Sequence, residues 1–83
     1  MDYRAKLVTL AETYCEAAGR AEATIANLAG RDGRFFQRMR EGRTCSVDTL
    51  QQTTQWFSDH WPSDLAWPDG IERPERAAPE KAA

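Results

Sequence analysis

An all-α fold, a compact bundle of four to five helices, is predicted by three features of this sequence. Apolar residues recur three and four apart through two long stretches, 3–18 and 47–61, as they do on one face of a helix. Residues that start helices (Asp2, Asp32, Ser46) and residues that stop them (Gly19, Gly30, Gly42, Pro62) divide the chain into four segments. Nowhere does the sequence alternate apolar and polar residues as a strand does, and it contains no repeat. Its 83 residues provide for one small domain, so each large apolar side chain counts in a thin core.

The first helix is capped by Asp2, with Tyr3, Leu7, Leu10, Ala11, Tyr14 and Ala18 on one face, Val8 and Cys15 widening the stripe, and Gly19 ending it. The second runs from Ala21 or Glu22 to Ala29, with Ile25, Ala26 and Leu28 apolar and Gly30 as its terminating glycine. Asp32 is placed to cap a third helix through about Arg40, closed by Gly42, with Phe35, Phe36 and Met39 turned inward. Ser46 caps a fourth whose inward stripe is Val47, Leu50, Thr54, Phe57 and Trp61, and Pro62 stops it. Residues 63–68 read as a turn carrying Leu65 and Trp67 back over the core. Beyond Asp69 the Pro, Glu, Arg and Ala composition predicts a disordered C-terminal tail, so the domain is expected to span 1–68 and the tail 69–83.

Composition narrows the class. A 41% hydrophobic and 29% charged chain is that of an ordinary globular protein, and no apolar run approaches the ~18 residues of a membrane span. The opening Met-Asp-Tyr-Arg-Ala-Lys lacks an apolar signal core and a small-residue cleavage site, so a cytoplasmic location is expected. Cys15 and Cys45 have neither CxxC spacing nor a second histidine beside His60, which excludes a structural zinc site from one chain; no cofactor is expected. Cys15 reads as a small buried hydrophobe, both cysteines as reduced, and His60 as a surface residue. No Ser-His-Asp or paired-carboxylate constellation appears, and the chain is not expected to be an enzyme.

The formal net charge is −2, but it is unevenly spread. Between residues 31 and 43 five arginines (Arg31, Arg34, Arg38, Arg40, Arg43) stand against Asp32 and Glu41, whereas residues 48–83 hold seven acids and three bases. A basic face, rather than the charge of the whole chain, is what meets phosphates. A short helix with an apolar inner face and an arginine-rich outer one is suited to the major groove of double-stranded DNA.

Two registers of a helix-turn-helix can be laid on this pattern. With Gly19-Arg20-Ala21 as the turn, the supporting helix is short and the reading helix has one arginine beside it. With Gly30 as the turn glycine, Ile25-Ala26-Asn27-Leu28-Ala29-Gly30 is similar to the apolar-Ala-x-x-x-Gly of lambda repressor/Cro-type (XRE-type) DNA-binding domains. Phe35-Phe36 and Arg38-Met39 then fall at the paired positions of that family's third helix, Gly42 at its end, and Ser46-Val47-Asp48-Thr49-Leu50 resembles the Ser-apolar-Glu-Thr-Leu that opens its fourth. The resemblance covers Ala21 to Phe57. Glu22 and Gly33 stand where the family commonly has Gln, and Gln or Arg, and the loop after Gly42 is shorter.

The resemblance implies a sequence-specific transcriptional regulator, a repressor of the phage or prophage type, reading the major groove with the helix at 31–41. Arg34, Gln37, Arg38 and Gly33 are the expected base-reading positions, the last by letting the backbone approach the groove; Arg31, Arg40, Arg43 and Thr44 are the expected phosphate contacts. Family members commonly bind pseudo-palindromic operators as homodimers with half-sites about 10 bp apart. Trp56, off the inward stripe of its helix, is expected under the Leu65/Trp67 turn, a second subunit being the alternative cover. Two other readings stand beside this one: a protein-interaction module with a repressor-like fold, and an antitoxin-like or activator component binding both DNA and a protein.

Overall fold

The computed structural model describes residues 2–75, which form four helices and no strand. Helix α1 spans Tyr3–Ala18, α2 Glu22–Leu28, α3 Phe35–Arg40 and α4 Val47–His60. The first and last begin as the sequence requires: an Asp2 carboxylate oxygen accepts the Ala5 N–H at 3.0 Å, and Ser46 Oγ accepts that of Thr49 at 3.1 Å. Each satisfies a donor that the first turn of a helix would otherwise leave unpaired. Gly30 and Gly42 end α2 and α3 at φ of 81° and 88°, a backbone state that costs a residue with a Cβ. The following N–H groups reach back five residues, Arg31 to Ala26 O at 2.8 Å and Arg43 to Arg38 O at 3.0 Å, closing both ends by the same six-to-one bond.

Helix α1 is the element against which the other three pack. Leu7, Leu10 and Ala11 of α1 meet Ile25 and Ala26 of α2, Phe35, Phe36 and Met39 of α3, and Phe57 and Trp61 from the α4 end, in one continuous core. Aromatic rings fill its α4 side. Tyr14 meets Phe57 at 5.7 Å and Trp61 at 5.8 Å, and Phe36 meets Phe57 at 5.8 Å. Burying rings of this size contributes about 3 kcal/mol or more each in so small a domain.

Several expectations are corrected. Ala18, expected on the inward face of α1, is exposed, and Val47, expected on that of α4, is 66% exposed; Leu28, read only as apolar, is 58% exposed. Helix α2 buries only the narrow edge at Ile25 and Ala26, and Val47 lies in the first turn of α4, before the packed stretch that starts at half-buried Leu50. On α4 the fully buried threonine is Thr53, not Thr54. Its hydroxyl donates to Thr49 O at 2.7 Å, which satisfies it without water. The start of α3 also moves, from about residue 32 to Phe35. Asp32 accepts the Arg34 N–H on its side chain at 2.7 Å and the Phe35 N–H on its carbonyl at 2.9 Å, a local turn that competes with helix through residues 32–34.

The largest correction concerns the end of the domain. The turn at 63–68 does bring Leu65 and Trp67 onto the core, and Trp61 is held in place by its indole N–H donating to Leu65 O at 2.9 Å. The chain, however, does not leave the fold at Pro68. Ile71 is buried, Trp67 donates its indole N–H to Ile71 O at 2.7 Å, and the Arg73 guanidinium lies over Trp67 while donating to Ser58 O at 2.9 Å. Ser58, fully buried, donates its hydroxyl to Pro74 O, and Gln55 donates to Glu75 O at 2.7 Å. Residues 69–75 are therefore an ordered strap along α4; the remainder of the expected tail, 76–83, lies outside the described residues. The strap, α1 and α4 enclose a groove of 530 Å³ lined in part by Tyr3, Lys6, Leu50, Ile71 and Pro74. Trp56 is half-buried beneath Tyr14 and a stacked His60, at 5.5 and 4.3 Å, while Trp67 covers Trp61 instead.

Candidate nucleic-acid interface

Helices α2 and α3 and the turn between them make the arginine-rich edge. With Phe35, Phe36 and Met39 buried, helical geometry turns Arg34, Gln37 and Glu41 outward and leaves Arg38 and Arg40 on the flanks of α3. Arg34 and Gln37 are exposed. Gln37 donates to Glu41 at 3.3 Å, one turn on, so the acid belongs to the same outward row. A carboxylate there can accept from a cytosine amino group, as an arginine can donate to guanine.

The eight residues expected at the site do not form one open basic face. Arg31 is turned toward α4, donating to Thr49 Oγ1 at 3.2 Å and Gln52 Oε1 at 3.1 Å, with its Nε buried and without a partner. Arg40 is held by two carboxylates: both terminal nitrogens donate to Glu22 at 2.6 Å, and one also to Glu12 at 3.0 Å. The hydrogen bonds that Arg40 donates to Glu22, with the one to Glu12 behind them, raise the Arg40 pKa above its ordinary value against the opposing effect of partial burial. Arg38 lies 3.6 Å from Asp32, an exposed and weak pair. Arg34 and Arg43 are exposed and their side chains meet no partner among the described residues; Thr44, also exposed, is likewise without one.

Gly33 faces the protein. A Cβ built there would stand 3.4 Å from the Ala23 methyl and 3.8 Å from the Asn27 side chain, so its open side is occupied by α2. Its place is a close packing of the turn on the supporting helix, and its φ is not in the left-handed region. The sequence reading also missed Arg4. From the first turn of α1, Arg4 donates to Gly42 O at 2.5 Å, and so anchors the end of α3 from 38 residues away in sequence. Between them, Arg4, Arg40 and Gly42 help line a shallow groove of 370 Å³ beside Arg43.

Neither thiol is set up as a thiolate by its surroundings. Burial raises the Cys15 pKa, helped by the Glu22 carboxylate and opposed by Arg40; burial also raises that of Cys45, opposed by Arg31. No helix among the described residues is long and apolar enough to cross a membrane. No known protein family, curated protein or solved structure matches the chain.

Proposed function

We propose that this chain is a sequence-specific double-stranded DNA-binding regulator of the helix-turn-helix type, acting as a repressor and reading the major groove from α3. The observation that carries the reading is the fixed outward row of α3. Three buried apolar residues determine which way the helix faces, so Gln37 is presented by a rigid element, with Arg34 beside it in the turn that Asp32 closes at the start of α3. Arg34, Gln37 and Arg38 contact base edges, and Arg43 and Thr44, at the far end, contact phosphates. One such unit reads few base pairs, and the operator is a pseudo-palindrome bound by two copies. Selection of binding sites from a random duplex pool tests this directly. A shared motif with two half-sites about 10 bp apart is the expected result, and recovery of no motif would remove the assignment.

A second reading is favoured by one observation. Leu28 and Val47 are large apolar side chains left 58% and 66% exposed, and on this reading they are contacts for a protein partner. Retention on heparin, together with a shift of random duplex that disappears at high salt, separates the two.

A further inference from the structure

The Arg40 contacts point beyond docking to discrimination. Arg40 lies on the flank of α3, in the groove that Asp2, Arg4 and Gly42 also line. On the DNA-binding reading it stands beside the reading helix as a candidate phosphate contact, yet its fork is filled. Two parallel N–H donors to one anion are the geometry by which arginine grips phosphate, and here that geometry is made with Glu22 at 2.6 Å on both nitrogens. Glu12 adds a second carboxylate at 3.0 Å, so one cation is set against two anions. DNA gains nothing from a guanidinium already neutralised, and must approach a spot of excess negative charge.

From this geometry, and resting on the DNA-binding reading above, we propose that Glu22 is a specificity-determining residue that withholds Arg40 from DNA phosphates. Sequence-independent affinity is thereby kept low, while Arg34, with no side-chain partner among the described residues, and Gln37 and Arg38, in single long contacts to Glu41 and Asp32, stay available to read bases. Specificity is a ratio, and lowering affinity for the wrong site raises it as surely as improving the right one.

The test is titration of the purified protein with a labelled random-sequence duplex at several salt concentrations, for wild type, Glu22→Gln, Arg40→Ala and the double variant. Glutamine keeps the shape and one acceptor while removing the charge. Glu22→Gln is expected to bind random duplex more tightly and to steepen the salt slope by about 0.9, an extra loss of about threefold between 50 and 200 mM salt. That gain must disappear in Glu22→Gln/Arg40→Ala, and Arg40→Ala alone, which leaves both carboxylates unpaired, must bind no more tightly than wild type. Unchanged or weaker binding by a folded Glu22→Gln overturns the inference, and so does a gain that survives loss of Arg40, which would make Glu22 a direct repeller. Should Glu22→Gln fail to fold, Glu12→Gln carries the same expected gain at smaller size, with the same dependence on Arg40. If wild type and all variants ignore DNA, the DNA-binding reading falls as well; if wild type binds and only the expected gain is missing, this inference alone falls.

Discussion

The α4 side of the molecule and the α2–α3 side are built on different principles. Around α4, Tyr14, Phe57, Trp61, Trp67 and Ile71 interlock in an aromatic-rich cluster, and the buried polar groups beside it, Thr53 and Ser58, are satisfied by backbone oxygens. Around α3, a helix of six residues is held by three buried side chains and by long-range polar ties at its edges: Arg31 to α4, Arg40 to Glu22 and Glu12, Arg4 to Gly42. One side stores stability and the other stores orientation. A substitution on the first should move the melting curve and leave partner preference alone; one on the second should do the reverse.

The largest expected effect is Trp61→Ala. Removing a ring that is 1% exposed and joined to Tyr14, Phe57 and Trp67 should cost about 3 to 5 kcal/mol, a large share of the stability of any domain this small, as read by denaturant melts. Ile71→Ala comes next, at about 2 kcal/mol and hence roughly 10 °C in melting temperature, because a buried side chain is lost from the strap. A melt unchanged by Ile71→Ala would return the domain boundary to Pro68 and erase the strap from the comparison.

On the other side, Arg34→Ala should leave the melt nearly untouched and cost about 1 to 3 kcal/mol on a selected DNA site, with relaxed base preference and little effect on random duplex. Arg43→Ala should weaken both kinds of DNA equally and lower the salt slope by about 0.9. Identical behaviour of the two in one titration would dissolve the division between reading and docking. The smallest effect concerns acid. The Ala5 N–H bond, with Arg4 adding to it, lowers the Asp2 pKa below its ordinary value, so the cap's contribution is complete above the unfolded carboxylate range and is lost as pH falls through the folded value. Asp2→Asn, which can cap without titrating, should flatten the acid limb of helicity followed by circular dichroism.

What could be read from the residues was local. Asp2, Ser46, Gly19, Gly30, Gly42 and Pro62 act within a few positions of themselves, and the helices begin or end beside them. Asp32 has the same local signature as a helix cap, yet its two oxygens close a turn first, and the Gly33 that follows it, a poor helix former, is the local signal that favours the turn. The arginine cluster was legible as charge but not as geometry. Glu22 and Glu12 reach Arg40 across 18 and 28 residues, and only the packing of α2 and α3 on α1 brings them together. Ile71 was one apolar residue in a polar run, with no periodicity to show that Trp67 and Ser58 would fix the chain around it.

The strap groove has a consequence for the topology of the chain. Tyr3, in the first turn of α1, and Pro74, near the last described residue, line the same depression, so the beginning and end of the fold are neighbours. A fold whose first and last described segments border one groove can be bridged there by a linker and reopened elsewhere without disturbing its interior. Reopened in the exposed stretch at 43–44, such a permutant would place α3 next to a free end, held only by Phe35, Phe36, Met39 and the Arg4 and Arg40 ties. Whether α3 then frays is a measure of how much of its pose comes from those contacts and how much from being tethered at both sides.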